Sequence, residues 1–267
     1  MKIGALIPIR LASERLPGKA LKDLAGRPVV HHLLDRVAAC RHISDQRDVV
    51  VCTTTETLDD ALVPVVEKYG CSVFRGAVDD IIRRFADAMM EYGFDAVVQV
   101  NGDNPLSATE YMDLTMDRLL ADPTIDIVSA NGLPLGIASK AFTRHAMEKV
   151  LVAYRTVRND TGFIYFFTKS GLCRHVEIEP LVPQHVHSTA RLTLDYDADL
   201  ELFRRIFEAL YRPGLVFGLA ELVEFLNAHP DLVELNRHVE KEYWQRTAEK
   251  LRLEYVATDG SQRAISV

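Results

Sequence analysis

Arg10, Arg15, Lys19 and Lys22 stand in the stretch LIPIRLASERLPGKALKDLAGRP (residues 6–28), directly after an apolar run and before any helix can start. A loop of this kind can hold a polyphosphate, because its backbone N–H groups and fixed cations both face an anion. It is not the usual P-loop. LPGKA lacks the G-x-x-x-x-G-K-[ST] spacing and has Ala20 where a metal-binding hydroxyl would stand. No G-x-G-x-x-G occurs here either. Two acidic turns complete the set. Asp103 lies in VNGDNP (residues 100–105), and Asp195 and Asp197 lie in LTLDYDAD (residues 192–199). Asp195 and Asp197 share one face if a strand continues through them, and two such carboxylates repel unless a cation lies between them. Asp197 or Asp199 has the alternative role of capping the helix that follows. Cations and acids together suit Mg²⁺ bridging phosphates, with the loop taking the remaining charge.

The elements that must position these groups alternate. KIGALIP, DVVVCTT, CSVFRG, FDAVVQV and IDIVSAN read as buried strands. Between them PVVHHLLDRVAAC, TLDDALVPVVEKYG, VDDIIRRFADAMMEYG and SATEYMDLTMDRLLAD read as helices, two of them closed by Gly70 and Gly93. Ser107 with Glu110 reads as a capping box. This order specifies an α/β fold: a mostly parallel, Rossmann-like sheet flanked by helices, with ligands outside the carboxyl ends of the strands. After residue 130 the pattern loosens into a mixed α/β insertion. TGFIYFFTK, CRHVEIEP and ARLTLDYD read as strands or loops, ADLELFRRIFEALY as an amphipathic helix, and the last forty residues as helices with a polar tail.

A net charge of -7 argues against nucleic acid or an anionic membrane as a bulk partner, without forbidding a local cationic pocket. Cys40, Cys52, Cys71 and Cys173 have no metal or redox spacing and read as reduced structural thiols of a cytoplasmic protein. No signal peptide or membrane span is evident.

RLASERLPGKALKDLAGRPVVHHLLDRV resembles the N-terminal signature of the cytidylyltransferases that make CMP-activated acidic sugars, where R-x-x-S-x-R-L-P-G-K-x-L precedes a G-[KR]-P and a helix. VFRGAVDDIIRRF, VQVNGDNPL, LTLDYDADLELFRRIFEAL and HPDLVELNRHV follow in order and resemble most closely the branch named for the spore coat polysaccharide protein SpsF. The octulosonate and acylneuraminate cytidylyltransferases are similar at greater distance. The likeness spans nearly the whole chain and implies the nucleotide-diphospho-sugar transferase type of fold.

The resemblance implies that Arg10 and Lys19 contact the triphosphate of CTP, with Ser13 and Arg15 shaping the loop. It further implies that Asp103 and Asp195 hold Mg²⁺, and that Asn101 and Arg75 contact the nucleotide. Asp195-Tyr196-Asp197-Ala198-Asp199 replaces the family's Asp-Thr-Pro-Glu-Asp, which makes Asp197 a candidate third metal ligand. Asn159-Asp160-Thr161-Gly162 stands where relatives carry Glu-His-x-Thr, so the acceptor is left open. By composition Lys140, Arg155, Arg158, His185 and His187 are its candidate ligands. The expected organisation is a single domain over 1–267. Residues 1–130 form the nucleotide-binding half, 131–190 the acceptor-binding and homodimerising segment, and 191–267 carry the metal-ligand strand and C-terminal helices. The expected reaction transfers CMP from CTP to a small anionic acceptor such as an acidic sugar. Three alternatives stay open: a sugar-phosphate nucleotidyltransferase using another NTP, a GT-A-type glycosyltransferase, and a non-catalytic nucleotide sensor.

Overall fold

Every residue of VVVCTT and AVVQ is buried, and these two segments flank the first strand on either side. The computed structural model describes residues 1–187 and 189–266. Strand β1 (Ile3–Pro8) leads through the basic loop to a short hairpin, β2 (Asp23–Leu24) and β3 (Arg27–Pro28), and then to helix α1 (Val29–Ala38). There follow β4 (Val49–Thr54), α2 (Val63–Tyr69), β5 (Ser72–Gly76), α3 (Ile81–Tyr92), β6 (Ala96–Gln99), α4 (Thr109–Leu120) and β7 (Ile127–Ala130). The insertion supplies β8 (Lys140–Thr143), α5 (Arg144–Ala153), α6 (Tyr165–Thr168) and β9 (His175–Ile178). Helices α7 (Asp197–Leu210), α8 (Leu219–Ala228), α9 (Pro230–Glu234) and α10 (Glu240–Lys250) and the hairpin β10 (Arg252–Val256) and β11 (Gln262–Ser266) complete the described chain.

The main sheet has seven strands in the order β5-β4-β1-β6-β8-β7-β9. All its pairings are parallel except those of β8, which runs against both neighbours. The two-residue period of β1 divides the core. Leu6 packs on one face with Phe85 and Met89 of α3 and Val150 of α5. Ala5 and Ile7 pack on the other with Leu33 and Val37 of α1 and Met112 and Met116 of α4. Each such side chain contributes about 1.5–3 kcal/mol when fully buried, so the central strands are fixed by what covers them. A third cluster joins Leu192, Leu194, Phe203 and Ile206 to Leu222 and Leu226 of α8 and Tyr111 of α4.

The α/β class and the mostly parallel sheet agree with the sequence reading. Four local expectations do not. Part of TGFIYFFTK is the short helix α6. The polar tail is the hairpin β10–β11, turning at Gly260 with a φ of 81° that glycine accepts without strain. ARLTLDYD adds no strand to the main sheet. Residues 191–195 form an extended segment held by a bridge from Arg191 to Leu135 and by the Leu194 N–H donating to the Asp103 carbonyl at 2.8 Å. The Ser107–Glu110 capping box is also absent: the Ser107 hydroxyl donates to the Asn104 carbonyl, and the Glu110 carboxylate accepts from the Leu219 N–H. A tertiary contact with the start of α8 has taken the acid that local pairing would have used.

Candidate active site

The basic loop is anchored where it leaves β1. Asp59 is buried, and its carboxylate accepts from the Leu11 N–H at 2.7 Å and from the Thr54 N–H at 3.2 Å and hydroxyl. Burial would push this carboxyl up, but the Leu11 and Thr54 donors outweigh burial and hold it below the usual range. The Ser13 hydroxyl accepts from the Leu16 N–H, and the Gly18 N–H closes the loop on the Leu11 carbonyl. Gly18 has a φ of 64°, a left-handed conformation that glycine adopts freely, and it turns the chain so that Lys19 enters the cleft.

Asp103 follows β6 in a turn pressed against the end of β1. A Cβ on Gly102 would lie 2.3 Å from the Ile9 side chain and 2.5 Å from the Pro8 carbonyl, so only glycine fits. The extended segment 191–195 brings Asp195 to the same place. The Lys19 Nζ donates to Asp103 Oδ2 at 3.1 Å and to Asp195 Oδ1 at 2.8 Å. Arg15 Nη2 donates to Asp195 Oδ1 at 2.7 Å, and Arg191 Nη2 to Asp195 Oδ2 at 3.2 Å. Burial alone would raise the Asp195 pKa, but Lys19 and Arg15 outweigh it and the carboxyl stays charged below the usual range. Lys19 moves the opposite way: burial disfavours its charge, Asp103 and Asp195 overcome that, and its pKa is raised.

Beneath this cluster lies Asp199, fully buried. It accepts from Arg191 Nε and Nη2, from Asn236 Nδ2, and from the N–H groups of Asp195 and Tyr196. It therefore fixes the start of α7 and the buried Arg191 together, and Arg191 in turn orients Asp195. This is the capping role left open between Asp197 and Asp199, taken by Asp199. Asp197 itself is exposed at the first turn of α7 and off the cleft wall, so the expectation of a third metal ligand fails on position.

The cluster forms the floor of a cleft of about 750 Å³ at the carboxyl ends of the parallel strands. Arg10, Ser13, Arg15, Lys19, Asn101, Asp103 and Asp195 all line it. The Asn101 side-chain Oδ1 accepts from Gln99 Nε2 at 2.9 Å. Arg75 is a correction: its guanidinium bonds the Thr54 and Glu56 carbonyls and pairs with Asp60, and it lies off the cleft wall. Lys22 is also off the wall. Of the acceptor candidates, only Lys140 lines the cleft. Arg155 bonds nearby carbonyls, Arg158 is exposed beside Asp79, and the buried His185 pairs with the Tyr111 hydroxyl. His187 is likewise off the wall.

In the Asn159-Asp160-Thr161-Gly162 stretch, Asn159 is buried behind the cleft wall; its side-chain oxygen accepts from the Ile81 and Ile82 N–H groups at the start of α3. Its neighbour Asp160 pairs with Arg10. Ser129 and His175 meet at 2.7 Å on the neighbouring strands β7 and β9, with Glu177 and Lys169 nearby on the same wall. Tyr243, Trp244, Arg246 and Lys250 reach the cleft from α10. Among the described residues no three His, Cys, Asp or Glu side chains are grouped to hold a metal ion. Asp103 and Asp195 alone, both within hydrogen-bond reach of one ammonium, fit an ion that takes one or two carboxylates and completes its shell with phosphate oxygens and water.

Comparison with known proteins agrees with this geometry. The profile described as "Cytidylyltransferase" matches residues 4–204. A 3-deoxy-manno-octulosonate cytidylyltransferase of Geobacter sulfurreducens is 30% identical over 85% of this chain and 87% of its own length. The spore coat polysaccharide biosynthesis protein SpsF of Bacillus subtilis is 27% identical over 85% and 94%. The structure of a cytidylyltransferase from Leptospira borgpetersenii superposes with a TM-score of 0.78 at 27% identity, covering 87% of this chain and 97% of that one. A cationic loop and two carboxylates converging at the carboxyl edge of a parallel sheet, together with a match over most of the chain, make this protein a nucleotidyltransferase that belongs to the cytidylyltransferase family.

Proposed function

We propose that the protein transfers CMP from CTP to a small anionic acceptor of the acidic-sugar class, releasing pyrophosphate with the help of Mg²⁺. The observation that carries this reading is the Lys19 ammonium shared by Asp103 and Asp195, with Arg10 and Arg15 beside it on one cleft wall. Arg10 and Lys19 bind the triphosphate and neutralise charge that develops on the leaving phosphates, while Ser13 and Arg15 keep the loop in shape. Asn101 faces the ribose or base. Asp103 and Asp195 are the residues that would hold Mg²⁺, which supplies charge neutralisation and lowers the pKa of a bound hydroxyl. An acceptor oxygen attacks the α-phosphorus in line, the bond to the β-phosphate oxygen breaks, and pyrophosphate departs. Such a transfer needs positioning and electrostatics more than covalent help from the protein.

The acceptor is bound within residues 131–190. Lys140 is the cation best placed to meet its anionic group. Burial pulls the Lys140 pKa below the usual lysine value, while the Asp103 charge opposes that. A homodimer formed through the same segment belongs to this reading, supported by the exposed apolar Leu181, Val182 and Val186 just after edge strand β9. A cytoplasmic setting goes with CTP as substrate; among the described residues no helix is long and apolar enough to cross a membrane. The test is pyrophosphate release, with each of the four NTPs against a panel of acidic sugars, with and without EDTA. CTP should be the preferred donor and EDTA should stop the reaction. Turnover with UTP in place of CTP would replace the nucleotide, and sugar transfer from a nucleotide sugar would replace the reaction class.

A further inference from the structure

Helix α10 lies beyond the residues that the cytidylyltransferase profile matches, yet five of its side chains line the cleft. It buries none of its residues in the core. It is held instead by polar and π contacts to the basic loop and its supports. The Tyr243 ring lies 5.8 Å from the Arg15 guanidinium and 4.3 Å from that of Arg191. Beyond Tyr243, Arg246 Nη2 meets Glu14 Oε2 at 2.7 Å and Lys250 Nζ meets the same oxygen at 3.5 Å. Glu14 belongs to the basic loop and its side chain is 68% exposed. Lys250, then Arg246 and more weakly Arg10, hold its carboxyl below the usual range. One loop carboxylate thus occupies the point on which two cleft cations, Arg246 and Lys250, converge.

We propose that α10 is the second, movable half of the anion site: Arg246 and Lys250 leave Glu14 for the outer two phosphates of the bound nucleotide, and Trp244 covers them. Glu14 is then a stand-in that keeps the two cations near the cleft until a polyphosphate arrives. This rests on the nucleotidyltransfer reading above and adds to it the residues that engage the departing pyrophosphate. The competing view is a surface ion pair that merely fastens the helix. The two views give opposite signs for one variant. If Glu14 competes with phosphate, Glu14→Gln tightens polyphosphate binding; if it only anchors α10, the same change loosens it.

Trp244 is the sole tryptophan, so its fluorescence reports on α10 directly. Titrations of the full chain with CTP, CMP and inorganic pyrophosphate, followed by this signal and by calorimetry, make the test. The double variant Arg246→Ala/Lys250→Ala should weaken CTP and pyrophosphate by about tenfold or more and CMP by less than about twofold. Glu14→Gln should tighten CTP and pyrophosphate. A double variant that binds CTP and pyrophosphate within about twofold of the natural chain, or a Glu14→Gln variant that binds them more weakly, overturns the proposal. Failure of the underlying reading looks different. A chain that binds pyrophosphate through Arg246 and Lys250 but releases none from any NTP retains the anion site and loses the transfer chemistry.

Discussion

The walls of the cleft proposed to face the phosphates and the acceptor are built from different parts of the sheet. The first rests on β1 and β6, neighbours in the sheet centre, and its side chains are cross-linked through Lys19, Asp195, Arg191 and Asp199. The second rests on the antiparallel β8, on β7 and on the edge strand β9, and its groups meet in pairs such as Ser129 with His175. A buried, multiply bonded network fixes atoms within fractions of an ångström; an edge strand leaves its groups free to be exchanged without disturbing the core. On the proposed reading, rigid placement sits where the triphosphate is handled, and exchangeable placement sits where acceptors differ.

The largest effect should come from the root of the rigid wall. Asp199→Ala leaves the buried Arg191 with Asp195 as its remaining carboxylate partner and should cost about 3–5 kcal/mol, read by denaturant unfolding. A loss under about 1 kcal/mol would mean that the network is not what holds that wall. Asp103→Asn comes next. The Asp103 side chain is 30% exposed, so the fold should survive while turnover falls at least about 100-fold, the scale of removing one charge-stabilising group from a reacting centre. Equal turnover would take Asp103 out of the site. Lys19→Ala should weaken CTP by about tenfold, or roughly 1.4 kcal/mol, and leave the acceptor KM unchanged. Lys140→Met should do the reverse, raising the acceptor KM by up to about tenfold at constant CTP affinity. Should either variant move both constants together, the two walls are not independent. Smallest of all is Arg75→Ala. Its partners are local and one-third of its side chain is exposed, so stability should change by less than about 1 kcal/mol and CTP affinity not at all.

Much of the cluster of loop cations and acids was legible because its signals are local. Cations packed between a strand and a helix, and acids just after apolar runs, identify Arg10, Arg15, Lys19, Asp103 and Asp195 with no knowledge of the fold. Asp199 was visible only as a helix cap, because Arg191 and Asn236 are brought to it by tertiary folding. Arg75 illustrates the converse. A cation at a strand end looks like a ligand group, yet its guanidinium is taken up by the Thr54 and Glu56 carbonyls. The alternation of ARLTLDYD reads as a sheet strand, but the place beside β6 is filled by β8. The α10 contribution carried no signal, since a helix polar all round has no face to mark its direction. The D-G turn of the closing hairpin was a readable signal that the polarity of the tail obscured.

Five cations that line the cleft are already paired: Arg10 with Asp160, Arg15 with Asp195, Lys19 with Asp103 and Asp195, and Arg246 and Lys250 with Glu14. If the cleft holds phosphates as proposed, that arrangement makes it a valence filter. A solitary inorganic phosphate can displace one internal carboxylate at a time, trading one ion pair for another of similar worth. A ligand with several charges on one covalent chain displaces several carboxylates while losing its translational freedom once. On the proposed reading, the paired state therefore disfavours small anions and admits chains of phosphates.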